Sequence, residues 1–382
     1  MIIAVPREVA AGERRIALVP EAVKRLVDRG FEVRVETAGD SSDFPDADFE
    51  AAGASLVTDV GELYESADVV VKVRAPMEHP KTGKHEADML REGSCLIAVL
   101  QPHTSPELVE RLATRRVTSF ALDLMPRTAL AQDKDVLSSM STIAGYKAVL
   151  LAASDLPKLM PMLMTAAGTI KPARVLVIGV GVAGLQAIAT ARRLGAVVEA
   201  FDVRPAVKEQ VESLGARFVA EEGIAEDAEQ ASGYAREQTE AEQQQQRELL
   251  SMHIAGSDVV ICSALVPGRR APVLLSSKQV EGMRPGSVVI DLAADQGGNC
   301  ELTVPGQVVV HCGVRIHGPE NVASSVPVHA SQMFARNVQN YLLHLTRDGT
   351  LELDLDDELT RGPLVTCDGK IVHEGVRAAL EA

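Results

Sequence analysis

The 382-residue chain has no tryptophan and few aromatic residues, four tyrosines and seven phenylalanines. Its core must therefore be built from Val, Leu, Ile, Ala and Met. Cysteine is scarce and scattered: Cys95, Cys262, Cys300, Cys312 and Cys367 are odd in number and lack CxxC spacing. That pattern argues against a disulfide framework and implies no metal site. The thiols read as reduced, as in a cytosolic protein. Positive charge is also short. The net charge is −15 and the basic residues form no stripe, which argues against nucleic acid as a partner. No apolar run approaches the roughly 18 residues of a membrane helix. The N-terminal MIIAVPRE reads as a strand and not as a signal peptide. What remains is the composition of a soluble globular protein, 46% apolar with a mean hydropathy of +0.07. The length suffices for two domains, each with its own core.

The most informative stretch is residues 174–204, RVLVIGVGVAGLQAIATARRLGAVVEAFDVR. Val175 to Ile178 is a short β-branched run, expected of a strand buried on both faces. Gly179-x-Gly181-x-x-Gly184 follows, then an Ala-rich stretch at helical spacing that stops at Gly195. Val197 to Phe201 reads as the next strand, with Asp202 at its end. Strand, glycine turn, helix, strand and acid make up the dinucleotide-binding fingerprint. Gly179 allows a tight turn, and Gly181 lets a pyrophosphate approach the backbone at a helix N-terminus. Gly184, with Ala187 and Ala191, lets the helix pack close to its strand. Asp202, 18 residues past Gly184, can accept from a ribose 2′-hydroxyl and repels a 2′-phosphate, which favours NAD over NADP. Arg204 argues mildly the other way.

Residues 1–125 alternate strand and helix. Strands are expected at Ile2–Val5, Phe31–Val35, Asp68–Val73, Cys95–Leu100 and Val117–Leu122, with helices at Pro20–Asp28 and after Ser105-Pro106, where the serine would cap. This alternation implies a parallel sheet with helices on both faces. The fold class is thus α/β, with two doubly wound Rossmann-like domains flanking a cleft. Residues 126–146 are polar and lie between apolar regions, as functional loops often do. A helix is expected from Ser139 to Leu159, and Pro161 to Gly168 leads into the fingerprint strand. Further strands are expected at Ala216–Val219, Asp258–Cys262 and Ser287–Leu292. Between the first two of these, Glu221 to Leu250 holds nine acids, two arginines and the run Gln243 to Gln246. It reads either as a solvated insertion or as a mobile flap with Tyr234 near its tip. Ser331 to Leu345 is an amphipathic helix expected to return to the first domain. The domains are then 1–138 plus 328–382, and 139–327.

The pieces AQDKDVLSSMSTIAGYKAV, MTAAGTIKPARVLVIGVGVAGLQ, SALVPGRRAPVL and MRPGSVVIDLA resemble the alpha subunit of proton-translocating NAD(P) transhydrogenase. More narrowly, they resemble its NAD(H)-binding component, domain I, in its separate soluble form. The likeness runs from Pro6-Arg-Glu near the start to VTCDGKIVHEG near the end. It implies a Re/Si-specific transhydrogenase that is active only with partner subunits. NAD(H) would bind this chain and NADP(H) a partner beta subunit. A homodimer would sit peripherally on the cytoplasmic face of the membrane, attached through a membrane-spanning subunit. By the same resemblance Asp202, Val203 and Arg204 match the adenosine-ribose side and Val182 the pyrophosphate turn. Arg127, Thr128, Ala129, Asp135 and Ser138 match the polar cluster around the nicotinamide carboxamide. Gln132 matches the residue that reaches toward the second nucleotide. Gly233 and Tyr234 match a mobile loop, and Leu265 the loop after the fourth strand of the NAD domain. One departure is Ala131, where the family often has arginine.

Hydride transfer between two nicotinamides needs orientation and electrostatics from the protein and no general base. The polar loop, which has no histidine, fits that need. Without the resemblance, Arg127 and Asp135 would read as a surface ion pair capping a helix. The second reading is alanine dehydrogenase: Arg15, Lys72 and Asp295 match its substrate-site positions. The acid-base histidine of that enzyme, however, falls on Gln101, with His103 two residues on. A non-catalytic NAD-binding protein is the third reading. It would keep Asp202 and the glycines but has no need of Arg127, Gln132, Asp135 and Ser138 together.

Overall fold

The computed structural model of the chain describes residues 1–38, 43–219, 249–265 and 270–381. The backbone forms two compact units, Met1–Met140 with Ser324–Ala382, and Ser141–Ala323.

The first unit carries an eight-stranded sheet in the spatial order Ser55–Val57, Glu32–Glu36, Ile2–Val5, Val69–Val71, Cys95–Ala98, Thr118–Ala121, Leu364–Cys367, Lys370–Ile371. The first six strands run parallel and the last two antiparallel. In chain order the parallel set reads third, second, first, fourth, fifth, sixth, the doubly wound order. Runs such as Val69–Val71 and Cys95–Ala98 are buried throughout because both faces of the sheet are covered. Ile3, Val33, Val69 and Ile97 pack on one side, and Ala4, Val70, Leu96 and Ala98 on the other.

The second unit repeats this winding. Its seven-stranded sheet has the order Arg217–Phe218, Val197–Phe201, Arg174–Ile178, Val259–Cys262, Val288–Asp291, Val314–His317, Val308–His311. All but the last pair are parallel. Val175, Val177, Ile261 and Ile290 pack against Ala187 and Ala191 of the helix Val182–Arg193. Leu176, Ile178, Val260 and Val289 fill the opposite face. Both families of small and β-branched residues suit a core with so few aromatics.

Several elements differ from the sequence reading. Ser105 makes no cap bond, although Pro106 does open the helix Pro106–Thr114. The serine backbone lies outside the extended region that aims a capping hydroxyl at the first turn. The expected lead-in Pro161–Gly168 is instead an antiparallel hairpin of Leu163–Thr165 and Gly168–Ile170, exposed along its whole length. The strands Ser55–Val57, Val308–His311 and Val314–His317 are additional, being too short or too charged to stand out in the sequence. The helix Val136–Asp155 is, by length and composition, apolar enough to cross a membrane. Serine, threonine and one lysine interrupt it, so it holds no continuous apolar run. Core helices pass the same test, and Ala148, Val149 and Ala152 pack it into the second unit's core. All five cysteines are free thiols.

A buried carboxylate ties three strands of the second sheet together. Glu199 accepts from Arg174 at 3.1 Å, from Arg217, and faces His253 Nδ1 at 2.8 Å. Burial pushes this carboxyl up, but hydrogen bonds from His253 and Arg217 and the Arg217 charge outweigh it and hold the carboxyl below its ordinary value of 4.5. A carboxyl lowered on folding stabilises the fold above its unfolded value and loses that contribution as pH falls through the folded one. Replacing it with a neutral amide, Glu199→Gln, should therefore lower Tm most at neutral pH, and the gap to wild type should narrow as pH drops below about 4.5. Thermal unfolding at pH 7 and pH 3.5 checks this; equal gaps at the two values contradict it.

Candidate functional site

In the second unit the chain winds outward in opposite directions from Arg174–Ile178 and Val259–Cys262, which are neighbours in the sheet. The crevice beyond their carboxyl ends is the switch point at which open α/β sheets take ligands. Two segments leave from it, Gly179–Gly184 and Ser263–Leu265.

The three glycines do different work. Gly179 has φ +92°, and a Cβ there would lie 2.9 Å from the Ala264 nitrogen. Gly184 has a more severe neighbour, since a Cβ would sit 2.0 Å from the Gly179 carbonyl oxygen. These two glycines let backbone meet backbone. Gly181 packs against nothing: a Cβ there would have no atom within 4 Å. It precedes the helix Val182–Arg193, whose first turn has no side-chain cap and no acid. The first N–H groups and the positive end of the helix dipole are thus offered beside an open glycine, which suits a pyrophosphate. Val182 is half-exposed at this turn and Leu265 is exposed across the crevice. Ser263 Oγ donates to the Gly179 carbonyl at 2.9 Å and joins the two segments.

Asp202 is buried at the end of the next strand, and its carboxylate is already engaged. It accepts from Val180 N at 2.7 Å, from Arg204 N and Nε at 2.9 Å each, and from Arg204 Nη2 at 3.0 Å. Two carboxylate oxygens offer about four acceptor positions, and these four bonds use them. The acid therefore anchors the glycine turn and holds Arg204 down as a two-pronged pair. Val203, between them, is partly buried against the core.

In the first unit, Arg127, Ala129 and Gln132 are exposed, and Ala129–Ala131 forms a 3-10 turn. Thr128 Oγ1 is a buried polar atom with no hydrogen-bond partner. Asp135 accepts from Ser138 N at 3.0 Å and from Ser138 Oγ at 2.5 Å, so it caps the helix Val136–Asp155. Sequence reasoning missed the group that holds this loop. Asn337, on the helix Pro327–His344, donates to the Asp133 carbonyl at 2.9 Å and accepts from Ser139 Oγ at 2.7 Å. Asn340 donates to the same carbonyl at 3.0 Å. The overlooked signal is a buried amide on the apolar stripe of Phe334, Val338 and Tyr341. Gly233 and Tyr234 lie outside the described residues.

The residues that suggested alanine dehydrogenase are closed in on themselves. Arg15 makes a two-pronged pair with Glu13 at 2.7 and 2.6 Å. Lys72 is 0% exposed and donates to Glu86 Oε1 at 2.6 Å, with Glu8 Oε2 3.6 Å away. Burial alone would discharge Lys72, but Glu8 and Glu86 outweigh it and keep it charged. Burial raises the Glu8 carboxyl. Asp295 is exposed, and so is Gln101, held at φ +48°. No cluster of potential metal ligands occurs among the described residues.

Comparison with known proteins agrees with this anatomy. The description "Alanine dehydrogenase/PNT, N-terminal domain" matches residues 4–144, and "Alanine dehydrogenase/PNT, C-terminal domain" matches residues 148–374. The class is thus a two-domain protein of alanine dehydrogenase/PNT architecture. The first of the polypeptides that make up NAD(P) transhydrogenase subunit alpha in Rhodospirillum rubrum is 48% identical over 377 residues, 98% of each chain. A solved transhydrogenase from Sinorhizobium meliloti matches with a TM-score of 0.84 at 41% identity, covering 98% of this chain and 100% of that one. An L-alanine dehydrogenase structure matches with a TM-score of 0.81 at 29% identity, covering 100% and 99%. The chain belongs to the NAD(P) transhydrogenase subunit alpha family.

The glycine geometry yields a stability test. Gly184→Ala forces a methyl into a backbone carbonyl and should destabilise by at least about 1–3 kcal/mol, or a Tm loss of roughly 4 °C or more. Differential scanning calorimetry would disprove the close contact if Gly184→Ala melted with the wild type.

Proposed function

We propose that this chain is the NAD(H)-binding component of a proton-translocating NAD(P) transhydrogenase. It would bind NAD(H) at the switch point of its second unit. Hydride would pass directly between NADH on this chain and NADP⁺ on a partner beta subunit, with membrane-spanning subunits coupling the exchange to proton movement. The observation that carries this reading is the open Gly181 beside an uncapped helix start, between two glycines that admit no side chain. When bound, the nicotinamide supplies the hydride chemistry.

This chain's residues would bind and orient. Val182 and the first N–H groups of its helix take the pyrophosphate, and Leu265 covers it from the other side of the crevice. A ribose hydroxyl that reaches Asp202 takes the place of an Arg204 N–H, while the Val180 bond stays. Arg204, neutralised on Asp202, is a poor receptor for a 2′-phosphate, which supports NAD over NADP. Arg127, Thr128, Ala129, Asp135 and Ser138 orient the carboxamide, and Gln132 faces the second nucleotide. Gly233 and Tyr234 serve as the mobile loop. The assembly is a homodimer held peripherally on the cytoplasmic face through its partners. The exposed hairpin with Leu163, Met164 and Ile170 supports a protein contact, since bare apolar strands seek cover. The alanine dehydrogenase reading is weaker, because Glu13, Glu8 and Glu86 already occupy the cations that an oxo acid would need.

Two substitutions test the roles. Gly181→Ala adds a methyl to open space, so Tm should hold while NADH affinity, read by fluorescence titration, falls about tenfold, roughly 1.4 kcal/mol. Unchanged affinity would remove the pyrophosphate from this turn. Gln132→Asn should leave NADH affinity within twofold and slow hydride transfer to NADP⁺ at least tenfold in the reconstituted complex; an unchanged transfer rate would take Gln132 out of the reaction.

A further inference from the structure

Asn299 belongs to none of the sequence motifs, yet it is 0% exposed and holds one wall of the crevice. Its side-chain amide pairs with both backbone groups of Ala264. Oδ1 accepts from Ala264 N at 3.1 Å, and Nδ2 donates to the Ala264 carbonyl at 2.9 Å. Nδ2 also donates to the Pro272 carbonyl at 2.8 Å. The amide thus closes the loop between the fourth strand and Pro272 from within. Its orientation is not interchangeable, because flipping it would set an oxygen against two carbonyl oxygens.

Asn299 is itself held firmly. Its N–H donates to Asp291 Oδ2 at 2.8 Å, and its carbonyl accepts from Leu274 and Leu275 at 2.8 and 3.0 Å. Asp291 is fully buried and also takes Ala293 N, Cys300 N and Thr303 Oγ1. The chain of contacts then reaches the glycine turn. Ala264 is the residue whose nitrogen a Gly179 Cβ would strike, and its neighbour Ser263 bonds the Gly179 carbonyl.

We infer that Asn299 is a positioning residue for the dinucleotide, setting Ser263–Leu265 against Gly179 so that Leu265 meets the ligand across the switch point. This rests on the reading that the crevice binds NAD(H). Asn299 touches no ligand itself and acts through the Ala264 peptide. The adenosine end, assigned to Asp202 on the far side of the glycine turn, does not depend on it. Losing Asn299 should therefore weaken the whole dinucleotide more than its adenosine half.

The test uses the full chain with NADH and AMP as separate probes. Asn299→Asp replaces the double donor with an acceptor facing two carbonyls. The expected result is an NADH Kd raised at least tenfold and an AMP Kd changed less than threefold. Asn299→Ala, which lets water reach the freed backbone groups, should show the same split with a smaller NADH loss, and it serves if the aspartate variant does not fold. An unchanged NADH affinity in a folded variant overturns the role of Asn299 and leaves the crevice reading intact. Equal losses for NADH and AMP, with a lowered Tm, make Asn299 a structural residue only and overturn the proposal. A wild-type chain that binds no NADH overturns the crevice reading and this inference with it.

Discussion

At Gly184 the start of a helix lies on the end of a strand with no space for a single methyl, the Gly179 carbonyl filling the position a Cβ would need. That contact fixes where the helix Val182–Arg193 begins and which way its free N–H groups point. Ala187 and Ala191 continue it along the sheet, both fully buried. Everything at the crevice is set from it. The Gly179 turn meets Ala264 on one side, and Val180 donates to Asp202 on the other. Only Gly181 is left without a neighbour, so the closeness of its two flanking glycines creates the opening beside it.

The two units use one winding for opposite ends. In the first, Glu8 follows the first strand and accepts from Val73 N at 2.6 Å and Arg74 N at 3.2 Å, just past the fourth strand. Lys72, Glu86 and Tyr64 complete a buried network, with Tyr64 donating to Glu86 at 2.7 Å. Its switch point is thereby filled by the chain's own charges. In the second unit the same place is bridged by one serine hydroxyl and otherwise lined with glycine backbone. A buried ion network that is satisfied internally offers little to a ligand. Uncapped helix N–H groups beside an open glycine offer a good deal.

Legibility followed the range of the interactions. The fingerprint was readable because its residues are neighbours in sequence and each glycine answers to a local steric demand. Buried strands were readable because burial on both faces leaves unbroken Val and Ile runs. The hairpin at Leu163–Ile170 was not, since its apolar residues have no in-unit face to match and so no period to show. Asn337 and Asn299 were not, because the loops they clamp lie 204 and 35 residues away. A single buried amide carries no sequence pattern that separates a clamp from a surface residue. Asp202 was half-read: its place at the strand end was plain, but its capture of Arg204 was not.

The amino-acid order alone determined where strands and helices alternate, which turn carries the glycines and which residue closes the second strand with an acid. It could do so because steric limits on the backbone and the two- or 3.6-residue periods of burial act over a few neighbours. Folding in three dimensions decided which of the two like-wound sheets is closed by its own ion pairs and which stays open. It also decided which distant amides hold the loops at each site. Those outcomes hinge on side chains meeting across tens to hundreds of residues, where partners are chosen by the packing of the sheets and not by proximity along the chain.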